Sequence, residues 1–122
     1  VFIDKEILLR LDPEYIFLDG GGSALIREDA RKHPDFYGTL GAFRKGKVYW
    51  LLPFNSYATN VDTALADAYA IGKILYPKAF EDVDPERKAD EIYTLLVGKP
   101  VYAEMKKAYG VLGRKWEEAV ER

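Results

Sequence analysis

VYWLLPFNSYATNVDTALADAYAIGKILY, residues 48 to 76, is the stretch on which the fold turns. Val48 to Leu52 is an apolar run that suits a strand buried on both faces, and Pro53 stops it. A short polar and aromatic loop follows, and Asn60 then caps a helix that runs to about Tyr76. Apolar positions spaced three and four apart make Val61, Ala64, Leu65, Ala68, Ile71 and Leu75 its predicted inner face. Ala66, Ala70 and Gly72 keep the other faces thin, and Pro77 ends the helix.

The same alternation extends outward. Upstream, Asp4 reads as the cap of a short helix carrying Ile7, Leu8 and Leu11 and ended by Pro13. Tyr15 to Leu18 is a second apolar strand, Asp19 to Gly22 a turn, and Ser23 the cap of a helix from about Ala24 to Lys32. Pro34 opens a further helical turn that ends near Gly41. Downstream, Asp84-Pro85 gives a cap and an N1 proline for a helix with the inner stripe Ala89, Ile92, Tyr93 and Leu96, closed by Gly98. Pro100 starts a last helix that ends at Gly110. Strands separated by helices imply parallel βαβ units. The expected fold is therefore α/β: a partial three-layer sandwich with a short parallel sheet flanked by helices. Two strands make a poor sheet, so further strands are expected upstream of Val1 or from a second copy. Residues 1–110 form the folded body, and 111–122 a charged tail whose end, Lys115 to Arg122, reads as a frayed helix.

Composition narrows the functional classes. The 122 residues suffice for one domain, and 48% hydrophobic content supports a core. A net charge of −2, with both signs interspersed, lacks the concentrated basic face that nucleic acid requires. The chain has no cysteine, which removes disulfide and thiolate chemistry. No apolar run is long enough to span a bilayer, and VFIDKEILLR is not a signal peptide.

Two loops leave the carboxyl ends of the predicted strands, where open α/β sheets bind ligands. Gly20, Gly21, Gly22 and Ser23 lie between strand and helix but match neither a dinucleotide fingerprint nor a P-loop. They read as a flexible turn first and an anion-binding turn second. In the other loop Asn55, Ser56, Tyr57 and Thr59 offer hydrogen bonds, and Phe54 or Tyr57 a stacking face. The same residues also fit an Asn/Ser turn with a Tyr lid over the core. His33 is the sole histidine, and neither Ser23 nor Ser56 sits in a nucleophile motif, so no triad is indicated. Glu81 to Glu86 lacks the spacing of a calcium loop and suits helix capping. Of nine Tyr residues, none is marked out as an iron ligand. Glu6 projects from the first helix, between Ile3 and Ile7, as a solvated charge or an anchor for a basic partner.

DKEILLRLDPEYIFLDGG resembles the helix, Leu-x-Pro-Asp-x-Ile and strand signature in the C-terminal lobe of ABC-transporter substrate-binding proteins of the helical-backbone, two-lobe class. The stretch from Gly46 to Met105, with its GKILYPKAF segment, is similar to the end of proteins labelled iron(III) ABC transporter binding proteins. The resemblance spans Ile3 to Tyr109. It implies a solute-binding component of an importer, not an enzyme. It needs no cofactor, its ligand is an iron complex (ferric ion, or a siderophore- or haem-like chelate), and its metal ligands are undefined. The chain would be the C-terminal portion of such a protein, roughly a third of it, working outside the cytoplasm. Partners implied are the N-terminal lobe of the same protein and the transmembrane permease subunits. Glu6 falls where the vitamin B12-binding member carries a glutamate that docks onto permease arginines. Gly20, Gly21, Gly22 and the Phe54, Asn55, Ser56, Tyr57 loop fall where the family lines its cleft. That loop departs from the B12 binder's, so cobalamin is not implied. The rival expectation is a self-associating α/β module, such as a homodimer, without ligand affinity.

Overall fold

Asp4 opens the first helix by chemistry rather than by hydrophobicity. In the computed structural model, which describes residues 4–116, its carboxylate accepts the Ile7 N–H at 2.8 Å and caps α1 (Lys5–Leu11). The helix stops at Asp12, whose left-handed backbone (φ 38°) precedes Pro13. The Asp12 carboxylate then accepts the Gly41 N–H at 2.7 Å. A Cβ at Gly41 would lie 3.2 Å from both carboxylate oxygens, so glycine there permits the close approach.

The described chain divides into two compact units. The first comprises residues 4–18, 22–50 and 115–116. It holds α1, most of β1 (Ile16–Asp19), α2 (Ser23–Lys32), α3 (Pro34–Thr39), α4 (Gly41–Arg44) and most of β2 (Val48–Leu51). β1 and β2 form a two-stranded parallel sheet. Neither strand is buried on both faces as expected. β1 is half-buried, and β2 alternates, with Val48 and Trp50 buried while Tyr49 and Leu51 remain partly open. Alternation of this kind marks a sheet with one covered face. On the open face the Phe17 and Tyr49 rings stack at 5.9 Å. Lys115 pairs antiparallel with Tyr49, and the Trp116 N–H donates to the Val48 carbonyl at 2.7 Å. These two residues, expected in a frayed helix, are thus held by backbone bonds to β2. The Trp116 ring stacks on Trp50 at 5.4 Å and meets Phe43 edge-on, while the Arg27 guanidinium lies over both indoles. The remainder of the expected tail, and Ile3, lie outside the described residues.

The second unit comprises residues 19–21 and 51–114. It contains a small antiparallel hairpin, β3 (Asn55–Ser56) with β4 (Ala58–Thr59), and three helices, α5 (Val61–Leu75), α6 (Pro85–Val97) and α7 (Tyr102–Tyr109). α6 begins as its sequence indicates: Asp84 accepts the Glu86 and Arg87 N–H groups, Pro85 occupies the first turn, and Gly98 closes the helix at φ 83°. Leu52, Ala66, Ala70, Ala89, Tyr93, Tyr102 and Leu112 form the core.

The inner face of α5 is not the expected one. Thr63, Ala66, Asp67 and Ala70 are buried, whereas Val61, Leu65 and Ala68 face outward. The small residues let α6 approach closely, and the Thr63 and Tyr93 hydroxyls hydrogen-bond at 2.8 Å across the two helices. The Phe80 ring occupies the space that a Cβ at Gly72 would fill. In α6, Ala89 and Tyr93 are buried as expected, but Leu96 is exposed. No helix among the described residues is long and apolar enough to cross a membrane.

Candidate ligand-binding site

Parallel pairing of β1 and β2 puts the loops after Asp19 and after Leu51 at the same end of the sheet. The Gly20–Gly22 turn is a single 3₁₀ turn. The Asp19 carboxylate accepts the Gly21 N–H at 2.8 Å, which folds the chain back immediately after the strand. Gly20 is buried, and a Cβ there would lie 2.6 Å from the Leu51 carbonyl oxygen. One at Gly21 would lie 3.2 Å from Pro53 Cβ. Glycine at 20 is therefore a condition of close approach between the two loops. Gly22 and Ser23 belong to the other unit. Gly22 is the N-cap of α2, and Ser23, expected as its cap, is instead the first helical residue; no side chain caps this helix.

The loop from Phe54 to Asn60 is a hairpin rather than an irregular segment. Asn55 pairs with Thr59 and Ser56 with Ala58, leaving Tyr57 alone at the tip. Tyr57 sits in the left-handed region at φ 64° with its side chain fully exposed. The Phe54 carbonyl accepts the Asn60 N–H at 2.7 Å and closes the base. Asn55, Ser56 and Tyr57 are thus displayed together, and Phe54 is exposed beside them. Asn60 occupies the N-cap of α5 without a side-chain bond.

Asp67 is the residue that sequence reading passed over. It is only 4% exposed, and its Oδ1 accepts the Leu52 N–H at 2.9 Å, at the point where β2 gives way to the loop. Its Oδ2 is buried and has no hydrogen-bond partner among the described residues. Burial raises its pKa to about 7; the Leu52 N–H opposes that shift and the Asp19 carboxylate adds to it. A carboxylate between Ala66 and Ala70 on a small-residue stripe was the available signal.

Other candidates have local occupations. Glu6 is exposed in the first turn of α1. His33 lies 3.7 Å from Asp29, which also binds Lys5 and accepts from the Tyr37 hydroxyl. Tyr93 and Tyr102 hold core hydrogen bonds through their hydroxyls, and burial pushes Tyr102 up to about 12. Among the described residues no group of three or more His, Cys, Asp or Glu side chains could hold a metal ion. The hairpin displays amide, hydroxyl and aromatic groups to solvent, and the glycine turn approaches its root at Leu51 and Pro53. The chain matches no protein-family model, and no curated protein matches its sequence.

Proposed function

We propose that this chain is the C-terminal lobe of a two-lobe substrate-binding protein that captures an iron complex and delivers it to an ABC permease. The observation that carries the reading is the hairpin beside the Gly20–Gly21 turn, which holds Tyr57 fully exposed in a strained backbone conformation. A large aromatic ring kept in water at a conformational cost suggests a ring kept for a partner. In this reading the sheet is one layer of a three-layer sandwich completed by the rest of the protein. The N-terminal lobe supplies the opposite wall, capture occurs outside the cytoplasm, and Glu6 contacts basic residues of the permease.

Titration of a ferric siderophore into the two-lobe protein carrying this sequence tests it. Tyr57→Ala is expected to weaken binding about tenfold, the equivalent of one lost aromatic contact. Glu6→Arg is expected to leave binding unchanged and lower iron uptake; unchanged uptake removes the docking role.

A second reading, self-association without a ligand, is favoured by one feature. The Thr63–Tyr93 bond places the first turn of α5 near the last turns of α6, where Val61, Leu95, Leu96 and Val97 are all more than half exposed. Sedimentation of the 122-residue chain separates the two. A concentration-dependent dimer abolished by Leu96→Lys favours association, and a clean monomer excludes it.

A further inference from the structure

The Asp67 carboxyl has one oxygen employed and one idle. Oδ1 holds the Leu52 N–H, the last buried backbone donor before Pro53 and the hairpin. Oδ2 is enclosed, with no donor to meet it among the described residues. No lysine, arginine or histidine among the described residues acts on the group. The charged group that does is another carboxyl, Asp19 at the end of β1. On α6, Tyr93 in its turn feels Asp62, Asp67 and Asp90. Asp19 in turn holds the Gly21 N–H, so each of the two loops is tied at its root by one of two mutually repelling carboxyls.

We propose that Asp67 is a proton-operated latch on the hairpin loop: protonated, it fixes Leu52 and the root of the loop, and ionised, it loosens them. A buried carboxylate without a counter-charge is costly, and the charge is relieved either by taking up a proton or by admitting water. Water admitted to the carboxyl competes with the Leu52 N–H for it, and so acts at the Leu51–Pro53 segment. The loop that opens carries Phe54 to Tyr57, so the latch makes the ligand wall firmer in mildly acidic surroundings than in alkaline ones. That consequence for cargo rests on the proposed function; the latch itself does not.

The test therefore uses the 122-residue chain with no ligand. Carbon-13 NMR of the Asp67 carboxyl is expected to show titration near pH 7, as its buried position gives. Leu52 amide exchange, corrected for the intrinsic rate, is expected to accelerate about tenfold or more between about pH 5 and pH 8. Asp67→Asn keeps an acceptor for Leu52 without an ionisable proton, and is expected to hold that exchange constant. Titration of the carboxyl at its ordinary value of 3.8, or an Asn variant with the wild-type pH response, overturns the latch. If the variant does not fold, the wild-type carboxyl titration decides alone. A latch that passes while the two-lobe protein ignores ferric chelates refutes the cargo and leaves the switch standing.

Discussion

Tyr57 at the hairpin tip and Asp67 on α5, bonded to the hairpin's root, occupy opposite extremes of exposure, the first in full solvent and the second in the core. A left-handed tyrosine costs on the order of 1 kcal/mol relative to glycine in the same conformation. Tyr57→Gly is accordingly expected to raise folding stability by about 1 kcal/mol or less, part of the gain being offset by the freer unfolded chain, while ligand affinity falls. Urea unfolding paired with ligand titration checks both halves; a stability loss above about 1 kcal/mol would mean that the ring packs on the protein. At Asp67 the contrast lies between two substitutions. Asp67→Asn is expected to be neutral or stabilising at about pH 8, since it keeps the Leu52 bond and removes the charge. Asp67→Ala strands the buried Leu52 N–H and is expected to cost about 1–3 kcal/mol at about pH 5 and less at about pH 8, where loss of the buried charge offsets part of it.

At the scale of elements, α5 shows where sequence reading succeeds and where it fails. Its ends were legible: Asn60 and Pro77 bracket the observed Val61–Leu75. Its face was not, because hydrophobic periodicity ranks Leu65 above Ala66 as a core residue. Close helix–helix contact inverts that order, since a methyl fits where an isobutyl group does not. Leu65 is 43% exposed and Ala66 0%. Leu65→Ala is therefore expected to cost less than about 1 kcal/mol, and Ala66→Leu about 1–3 kcal/mol or more through overpacking against α6. Chemical denaturation of the two variants checks this, and a reversed order would restore the amphipathic reading. The hairpin was missed for a related reason. Asn55 to Thr59 lacks the Asn-Gly or Asp-Gly signal of a tight turn, and its tip conformation is carried by a tyrosine that sequence alone gives no cause to place there.

For the whole molecule, the alternation of strands and helices was legible from Pro13, Pro53 and Pro77 and from the caps Asp4 and Asp84. The division into two units was not, and neither was the return of Lys115 and Trp116 to β2, a long-range pairing with no local signature. That division carries its own prediction, because the two units distribute their carboxyls differently. In the first, Lys47 and Lys5 hold Glu14 and Asp29 below the ordinary carboxylate range, so their contribution is present above that range and is lost as pH falls through it. Both pairs lie in solvent, and their effect is small. In the second unit Asp67 has the opposite sign. Its folded pKa is raised from 3.8 to about 7, so the stability it contributes is complete below the unfolded value and is lost as pH rises from about 4 to 7. Raising the pH from about 5 to 8 should therefore not treat the units alike. Hydrogen exchange is expected to show protection falling across the amides of α5 and α6 and holding level across α2. An equal fall in both would mean that the chain opens as one body, and the local origin of the pH response would be lost with it.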